Sequence, residues 1–296
     1  MLKEIKDFLL HLRLHYQFFI LSGGYLLGGL MANEMNEIQF WLQFLNVHVL
    51  LFGGATAYNS YWDKDEGPIG GLKNPPKMTT WMHKVSLIFM VAGWFWAFSI
   101  NIVYFLIFGL SLLLFWLYST PYARWKGRPI ASMVAIALST GTNSVLLGFL
   151  AAGGDFSPVL ITVSAGAALI LLSLYPISQV YQLEEDSKRG DVTFTKKYGL
   201  RGVKLFFRYS YLAGLILLTS GFYIVYPVPA IALFITALLS FLILNAFVVR
   251  LEGTANEYPT VMKIKFLASL AFVFFLITSN AVRYEWIGDT FLRIYF

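Results

Sequence analysis

Asn59 and Asp63 stand four residues apart at the end of an apolar run, and Gln182 and Asp186 repeat that spacing at the end of another. Residues four apart on a helix share a face, so each pair presents an amide and a carboxylate together. Asp65 and Glu66 follow the first pair, while Glu184, Glu185 and Asp191 surround the second. Such oxygen donors suit a hard cation. Mg2+ takes one or two carboxylates and completes its shell with waters and substrate phosphates. Arg124, Lys126 and Arg128 crowd into one short segment, "YSTPYARWKGRP", and Lys73, Lys77, Lys188 and Arg189 add further bases near the acids. Acids that hold a metal beside bases that grip phosphate oxygens form the arrangement that diphosphate chemistry needs. A single charge at a watery helix end is ordinary. Two matching pairs are harder to dismiss, because Asn59 and Gln182 lie near the lipid boundary, where a polar side chain is rarely idle.

The elements that must position these residues are membrane spans. Of 296 residues, 58% are hydrophobic and only 13% charged, and the mean hydropathy is +0.66; a soluble domain is nearer half apolar and a quarter charged. A crossing needs about 20 mostly apolar residues. Nine candidates are present: Tyr16–Ala32, Gln39–Tyr61, Val85–Phe98, Ile102–Tyr118, Ile130–Gly153, Pro158–Gln182, Val203–Val225, Val228–Val249 and Val261–Val282. They predict an all-α bundle in one domain over residues 1–296, read as two related four-helix halves plus one helix. Residues 1–15 alternate charged and apolar side chains without a cleavage site, and are expected to form an amphipathic helix on the membrane surface. Segments 62–84 and 183–202 are expected to be active-site loops. If the spans alternate in direction, 20 of the 22 Lys and Arg fall on one side, and only Arg283 and Arg293 on the other. Positive charge marks the cytoplasmic face, which predicts an integral membrane protein with its N-terminus inside, its C-terminus outside and both acidic stretches facing the cytoplasm. The net charge of +6 is then topology, and nucleic acid is not an expected partner.

With the spans in place, the sequence resembles the UbiA superfamily of intramembrane prenyltransferases across nearly its whole length. Those proteins carry an Asn-x-x-x-Asp-x-x-x-Asp motif after helix two, matched here by Asn59 and Asp63, with Gly67 at the last acidic position. Their second motif, Asp-x-x-x-Asp followed by a basic stretch, Gly and Thr, is matched by Asp186, Gly190 and Thr193, with Gln182 in place of the first Asp. "YSTPYARWKGRP" is similar to the family's Tyr-Ser-x-Pro-Pro segment, with Tyr122 for the second Pro. The resemblance implies transfer of a prenyl group from a prenyl diphosphate to a lipophilic acceptor within the membrane lipid, with Mg2+ as cofactor. Asn59, Asp63 and Asp186 are the expected catalytic residues, and these with Glu185 and Asp191 the expected metal ligands. Arg124, Lys126, Arg128, Gln182, Asn143 and Tyr181 are the expected substrate contacts. The losses at Gly67 and Gln182 leave three accounts open: neighbouring acids replace the missing ligands, fewer metals bind while Asn59, Gln182 and bases carry more of the diphosphate, or metal-dependent ionisation is lost, leaving a non-catalytic isoprenoid-binding protein or a different isoprenoid reaction. A UbiA-type terpene cyclase is the alternative reaction.

Other classes fare worse. Without cysteine there is no thiolate catalyst and no Cys-ligated metal. "GPIGG" has neither the following Lys-Ser/Thr nor the preceding strand of a soluble phosphate loop. A transporter places polar groups at the midplane, whereas here they gather at one mouth. Asn46, His48, Asn143 and Ser144 are the polar residues within spans; each either lines the cavity or is satisfied by a neighbouring helix. The pairs Gly23–Gly24 and Gly53–Gly54 read as close helix packing.

Overall fold

The computed structural model describes residues 2–155, 157–287 and 295–296, so Arg293 lies outside the described residues. Among them the fold is all helical, apart from an isolated bridge between Ile69 and Leu72. Seven helices are long and apolar enough to cross a membrane: Glu37–Asp63 (α3), Ile102–Ser119 (α5), Pro129–Ala152 (α6), Pro158–Lys188 (α7), Phe194–Val225 (α8), Pro227–Val248 (α9) and Ala255–Arg283 (α10). The other two expected spans are helical but fall short of that description. Residues 14–31 are broken into a short helical turn, a π stretch and the helix Gly23–Met31 (α2). Thr80–Ala97 (α4) carries His83 and Lys84 in its first turns, which dilutes its apolar character.

The N-terminal segment forms the expected amphipathic helix, Leu2–His11 (α1). Phe8 and Leu12 pack against Ala57 and Met82, while Leu2, Ile5, Leu9 and Leu10 are exposed. The expected loop 183–202 is mostly helix: α7 continues through Lys188 and α8 begins at Phe194, leaving only 189–193 between them. Gly199 kinks α8 at φ 64°, a conformation that glycine adopts without a steric penalty. The loop after α3 is real but starts later than expected, because the helix runs through Asp63 and turns left-handed at Lys64.

Two backbone crossings fix the frame. An added Cβ on Gly28 would lie 2.0 Å from the Val145 carbonyl oxygen, and one on Gly148 would lie 1.9 Å from that of Tyr25. α2 and α6 therefore meet main chain to main chain, as small residues permit in membranes. Gly166 and Gly214 do the same for α7 and α8. The glycine pairs singled out from sequence also sit at close contacts, Gly24 against Ser144 and Gly54 against Met90.

Three stretches are wound as π-helix: Gln17–Leu21, Asn46–Gly53 and Ala137–Thr142. Ile20, Leu21, Phe52 and Thr140, drawn from all three, border the same internal cavity. π turns concentrate at functional sites, and here they surround one.

Candidate active site

α3 ends at one mouth of the bundle, where the segment 119–128 and the end of α7 converge on it. Asn59 Nδ2 donates to Asp63 Oδ2 at 2.7 Å, confirming the shared helix face. Asn59 Oδ1 accepts from Ser119 Oγ at 3.0 Å and Lys126 Nζ at 3.3 Å. Lys126 also forms an ion pair with Asp63. Burial, and next the Arg189 guanidinium, push the Lys126 ammonium down to about 7, while Asp191 and Asp186 pull it back up; the Asp63 carboxylate beside it favours the proton.

The second acidic stretch is held differently. Pro176 has no N–H to continue an α-helix, and Pro176–Gln182 winds as a 3-10 helix before α-helix resumes. The tighter winding still brings Tyr175, Gln179, Gln182 and Asp186 to one cavity, and Tyr181 with them. Arg189 is the hub of this side. It contacts Asp65, donates to Asp186 Oδ1 at 2.7 Å and Asp191 Oδ2 at 3.4 Å, and lies 3.9 Å from Glu185. Burial works against this cation, but Asp65 and Asp186 outweigh it and hold it above its ordinary value. Asp191 receives a two-pronged bond from Arg124, at 2.7 and 2.9 Å. Such bidentate pairs are the strong, orienting kind. Acids from one half of the chain thus engage bases from the other, and Asn59, Asp63, Asp186, Lys126 and Gln182 line a single cavity of about 240 Å³.

Glu185 reaches across to the first motif, where its Oε1 accepts the Gly67 N–H at 2.7 Å. A Cβ at position 67 would stand 2.6 Å from that oxygen. The Glu185 carboxylate therefore occupies the space that a side chain at 67 would need. Gly67→Asp is expected to lower kcat/KM roughly tenfold, about 1.4 kcal/mol of barrier, and adding Glu185→Gly should recover it. Steady-state kinetics on both variants checks this; a fully active Gly67→Asp single variant would show that the two groups do not compete.

Several expected residues lie elsewhere. Arg128 is exposed at the start of α6 and does not line the cavity; the left-handed turn at Arg124 and the 3-10 turn Trp125–Gly127 aim Lys126 inward instead. Lys73 and Lys77 are exposed, and Lys188 pairs with exposed Glu184 at 2.9 Å. Asn143 donates to Ser111 Oγ at 2.9 Å and serves a helix contact away from the mouth. His48 is likewise enclosed, bonded to the Phe44 carbonyl. Among the described residues, no three acidic or histidine side chains gather tightly enough to cage a metal without rearrangement. Each carboxylate leans on a base.

Beyond the polar mouth lies a second cavity of about 560 Å³. The two meet at Ile20, Leu21, Thr140, Leu171, Leu174 and Ser269. The larger one continues past α7 to Val228, Val282 and Phe296 at the opposite end, and no charged side chain lines it among the described residues.

The sequence model of the UbiA prenyltransferase family matches residues 21–276. The chain belongs to the UbiA prenyltransferase family. The fold is similar to that of a UbiA homologue from Archaeoglobus fulgidus solved with GPP and Mg2+, at 16% identity and TM-score 0.72, covering 93% of this chain and 99% of that one. The same homologue with DMAPP and Mg2+ gives 18% and 0.69, over 92% and 99%. A digeranylgeranylglyceryl phosphate synthase gives 20% and 0.64, over 93% and 99%. No curated protein sequence matches.

In this UbiA chain, two cavity-lining cations escape a motif reading, Arg13 and Lys265. Arg13 precedes the first span and points inward because its own backbone is left-handed, at φ 50°. Lys265 sits about two turns beyond Tyr258, where the α-helical part of α10 begins. Neither neighbours an acidic motif, so the only available signal was a charge bordering an apolar run.

Proposed function

We propose that this UbiA protein transfers a prenyl group from a prenyl diphosphate to a lipophilic acceptor within the membrane. The supporting observation is the junction of a charged 240 Å³ mouth with an uncharged 560 Å³ chamber. A diphosphate needs the first and an isoprenoid tail needs the second. The reading includes nine crossings in two four-helix halves plus one, with the mouth and N-terminus on the cytoplasmic side and the C-terminus opposite. The positive charge of the mouth-side segments supports this orientation.

The site's oxygens fit Mg2+. Asp186 Oδ2 and Glu185 Oε2 are buried without a hydrogen-bond partner, and Asn59 and Asp63 stand across the cavity. Bound there, Mg2+ would offset the charge of the leaving diphosphate. Asp191, whose oxygens are both held by Arg124, positions that guanidinium and is a weaker candidate ligand. Lys126, Arg124 and Arg189, now paired with carboxylates, would turn to phosphate oxygens when the acids turn to the metal. This exchange keeps every buried charge compensated. The donor C1–O bond breaks as diphosphate leaves, the acceptor's nucleophile bonds to C1, and the acceptor loses a proton. The uncharged chamber keeps water from the allylic cation, while the Tyr118 and Tyr175 hydroxyls, 3.0 Å apart, line the mouth.

The test is incubation of purified protein with labelled C10 to C20 prenyl diphosphates and Mg2+, with and without a membrane lipid extract. A prenylated lipid formed only with extract is the expected result, stopped by EDTA and restored by Mg2+. A cyclic hydrocarbon without acceptor would replace this reading by the terpene cyclase, and no diphosphate release in either arm would refute both. The chamber makes its own prediction. Ala167 lines it two turns of α7 away from the Leu174 waist. Ala167→Phe should cut kcat/KM for C20 donors about tenfold relative to C10, since even one methylene of pocket is worth about 1–3 kcal/mol. An unchanged C20-to-C10 ratio would place the tail elsewhere.

A further inference from the structure

A row of cations climbs the mouth-side end of α8. Arg201, Lys204 and Arg208 stand three and four residues apart, which places them on one helix face, just past the kink at Gly199. Arg250 follows the end of α9 beside them, since Lys204 Nζ donates to the Val249 carbonyl at 2.8 Å. Arg208 Nε donates to Asn245 Oδ1 at 2.9 Å. These two bonds tie α8 to the last turn of α9 and hold the row in place. They use one N–H of the Arg208 guanidinium, and its Nη groups have no partner among the described residues. None of the four cations has a carboxylate partner among those residues. Glu252, two positions beyond Arg250, is exposed and pairs with none of them.

A basic excess on the mouth side is ordinary topology, and exposed lysines such as Lys73 and Lys77 need no other explanation. Depth sets this row apart. From Arg208 to Val225, where the chain turns back, α8 covers roughly 25 Å, and the hydrocarbon layer is about 30 Å thick. Arg208 therefore stands within the edge of that layer, where a cation is costly unless an anion compensates it. It is half-buried, and its bond to Asn245 holds it at the α8–α9 seam, where the protein supplies no carboxylate. Toward the bilayer centre the same face turns apolar. Leu212 is half-buried and Ile216 is exposed, and Leu242 is exposed on α9 one turn below Asn245. An anion at this seam has water above it and hydrocarbon beneath.

We infer that the α8–α9 seam binds an anionic phospholipid, with Arg208 and Lys204 on the phosphodiester, Arg201 and Arg250 on the rest of the headgroup, and an acyl chain over Leu212, Ile216 and Leu242. The free Nη groups of Arg208 offer the paired N–H donors that phosphate oxygens take, and basic pockets between membrane helices suit such headgroups. A zwitterionic lipid fits worse, because its ammonium enters a field of four cations with no carboxylate to meet it. None of the four cations lines the mouth or the chamber. The bound lipid is therefore neither donor nor acceptor, and the site stands whether or not the chain transfers prenyl groups. It braces the start of α8, which follows directly on Asp191 and Thr193 of the mouth.

The purified chain in detergent is titrated with phosphatidylglycerol or phosphatidylcholine, and binding is read by native mass spectrometry and by melting temperature. The wild type should bind phosphatidylglycerol about tenfold tighter than phosphatidylcholine, and only the former should raise its melting temperature. Arg201→Gln with Arg208→Gln removes two of the four charges and should lower phosphatidylglycerol affinity about tenfold. Lys73→Gln with Lys77→Gln removes two exposed charges from the same side of the membrane and should change it less than about twofold, because those lysines hold no lipid in register. If the Arg208 variant does not fold, Arg201→Gln with Arg250→Gln, which leaves both bonds to α9 in place, carries the test. Equal binding of the two lipids by the wild type overturns the site. An equal loss in the Lys73 and Lys77 variant also overturns it, leaving dispersed surface charge only. Displacement of the lipid by millimolar inorganic phosphate would overturn it as well, by making the seam a site for a free anion.

Discussion

Alanine at Asp63 or at Asp186 is expected to abolish prenyl transfer, lowering kcat/KM by at least about 100-fold, while the protein stays folded. Both carboxylates line the mouth and face the same cavity from α3 and α7. Groups aimed at developing charge in a dry site typically contribute two to three orders of magnitude each. Asp63 carries an additional burden. Burial, then Arg189, push Lys126 down to about 7, and the Asp63 ion pair opposes that. Without Asp63, the lysine loses the adjacent carboxylate that favours its proton, and with it part of its grip on phosphate. Asp63→Ala should therefore recover some activity as the pH falls below 7, and Asp186→Ala should not. Chromatographic profile and melting temperature establish that both variants fold. Wild-type turnover in both would eliminate the site.

Arg189→Ala is expected to have the largest effect on stability. One guanidinium contacts Asp65, Asp186 and Asp191 and lies 3.9 Å from Glu185. Removing one partner from a buried pair costs about 3–5 kcal/mol, because the remaining charge stays buried and uncompensated. Here Asp65, Asp186 and Glu185 are left without a cation, while Asp191 keeps Arg124. A divalent cation supplies the missing charge, so Mg2+ should raise the melting temperature of Arg189→Ala far more than that of the wild type. Thermal unfolding with 10 mM EDTA or about 10-fold excess Mg2+ over its Kd separates the two proteins. An equal shift in both would mean that the carboxylates do not share the metal.

Much of this site is visible in the sequence because its residues lie at fixed spacing on continuous elements. Asn59 and Asp63 bond to one another as four-residue spacing requires, and Gln182 and Asp186 reach the cavity even though Pro176 changes the winding between Tyr175 and Gln182. What stayed hidden depends on contacts between distant segments or on single backbone angles. No pattern in "EGPIGG" announces that the Gly67 N–H will hold Glu185. Arg128 looked equivalent to Arg124 and Lys126 until the turn at 124 separated them. Arg13 looked like one more surface charge on an amphipathic segment, and a left-handed residue buried it. The weak span Thr80–Ala97 shows the limit of hydropathy, since a helix that packs its His83 against Tyr61 and Tyr58 need not be apolar at that end.

The π winding of 46–53 has a consequence for anyone who carries residue roles between this chain and its relatives. A π turn accommodates more residues per revolution than an α turn, so the phase of α3 slips as it passes from Gln43 to Asn59. Counting forward from the far end in steps of 3.6 assigns Asn59 and Asp63 to the wrong side of the helix. Positions should instead be counted backward from Asp63, and a gap, where one is needed, belongs inside "NVHVLLFG". The same accounting applies to 137–142, where a homologue one residue shorter need not have lost anything from its active site.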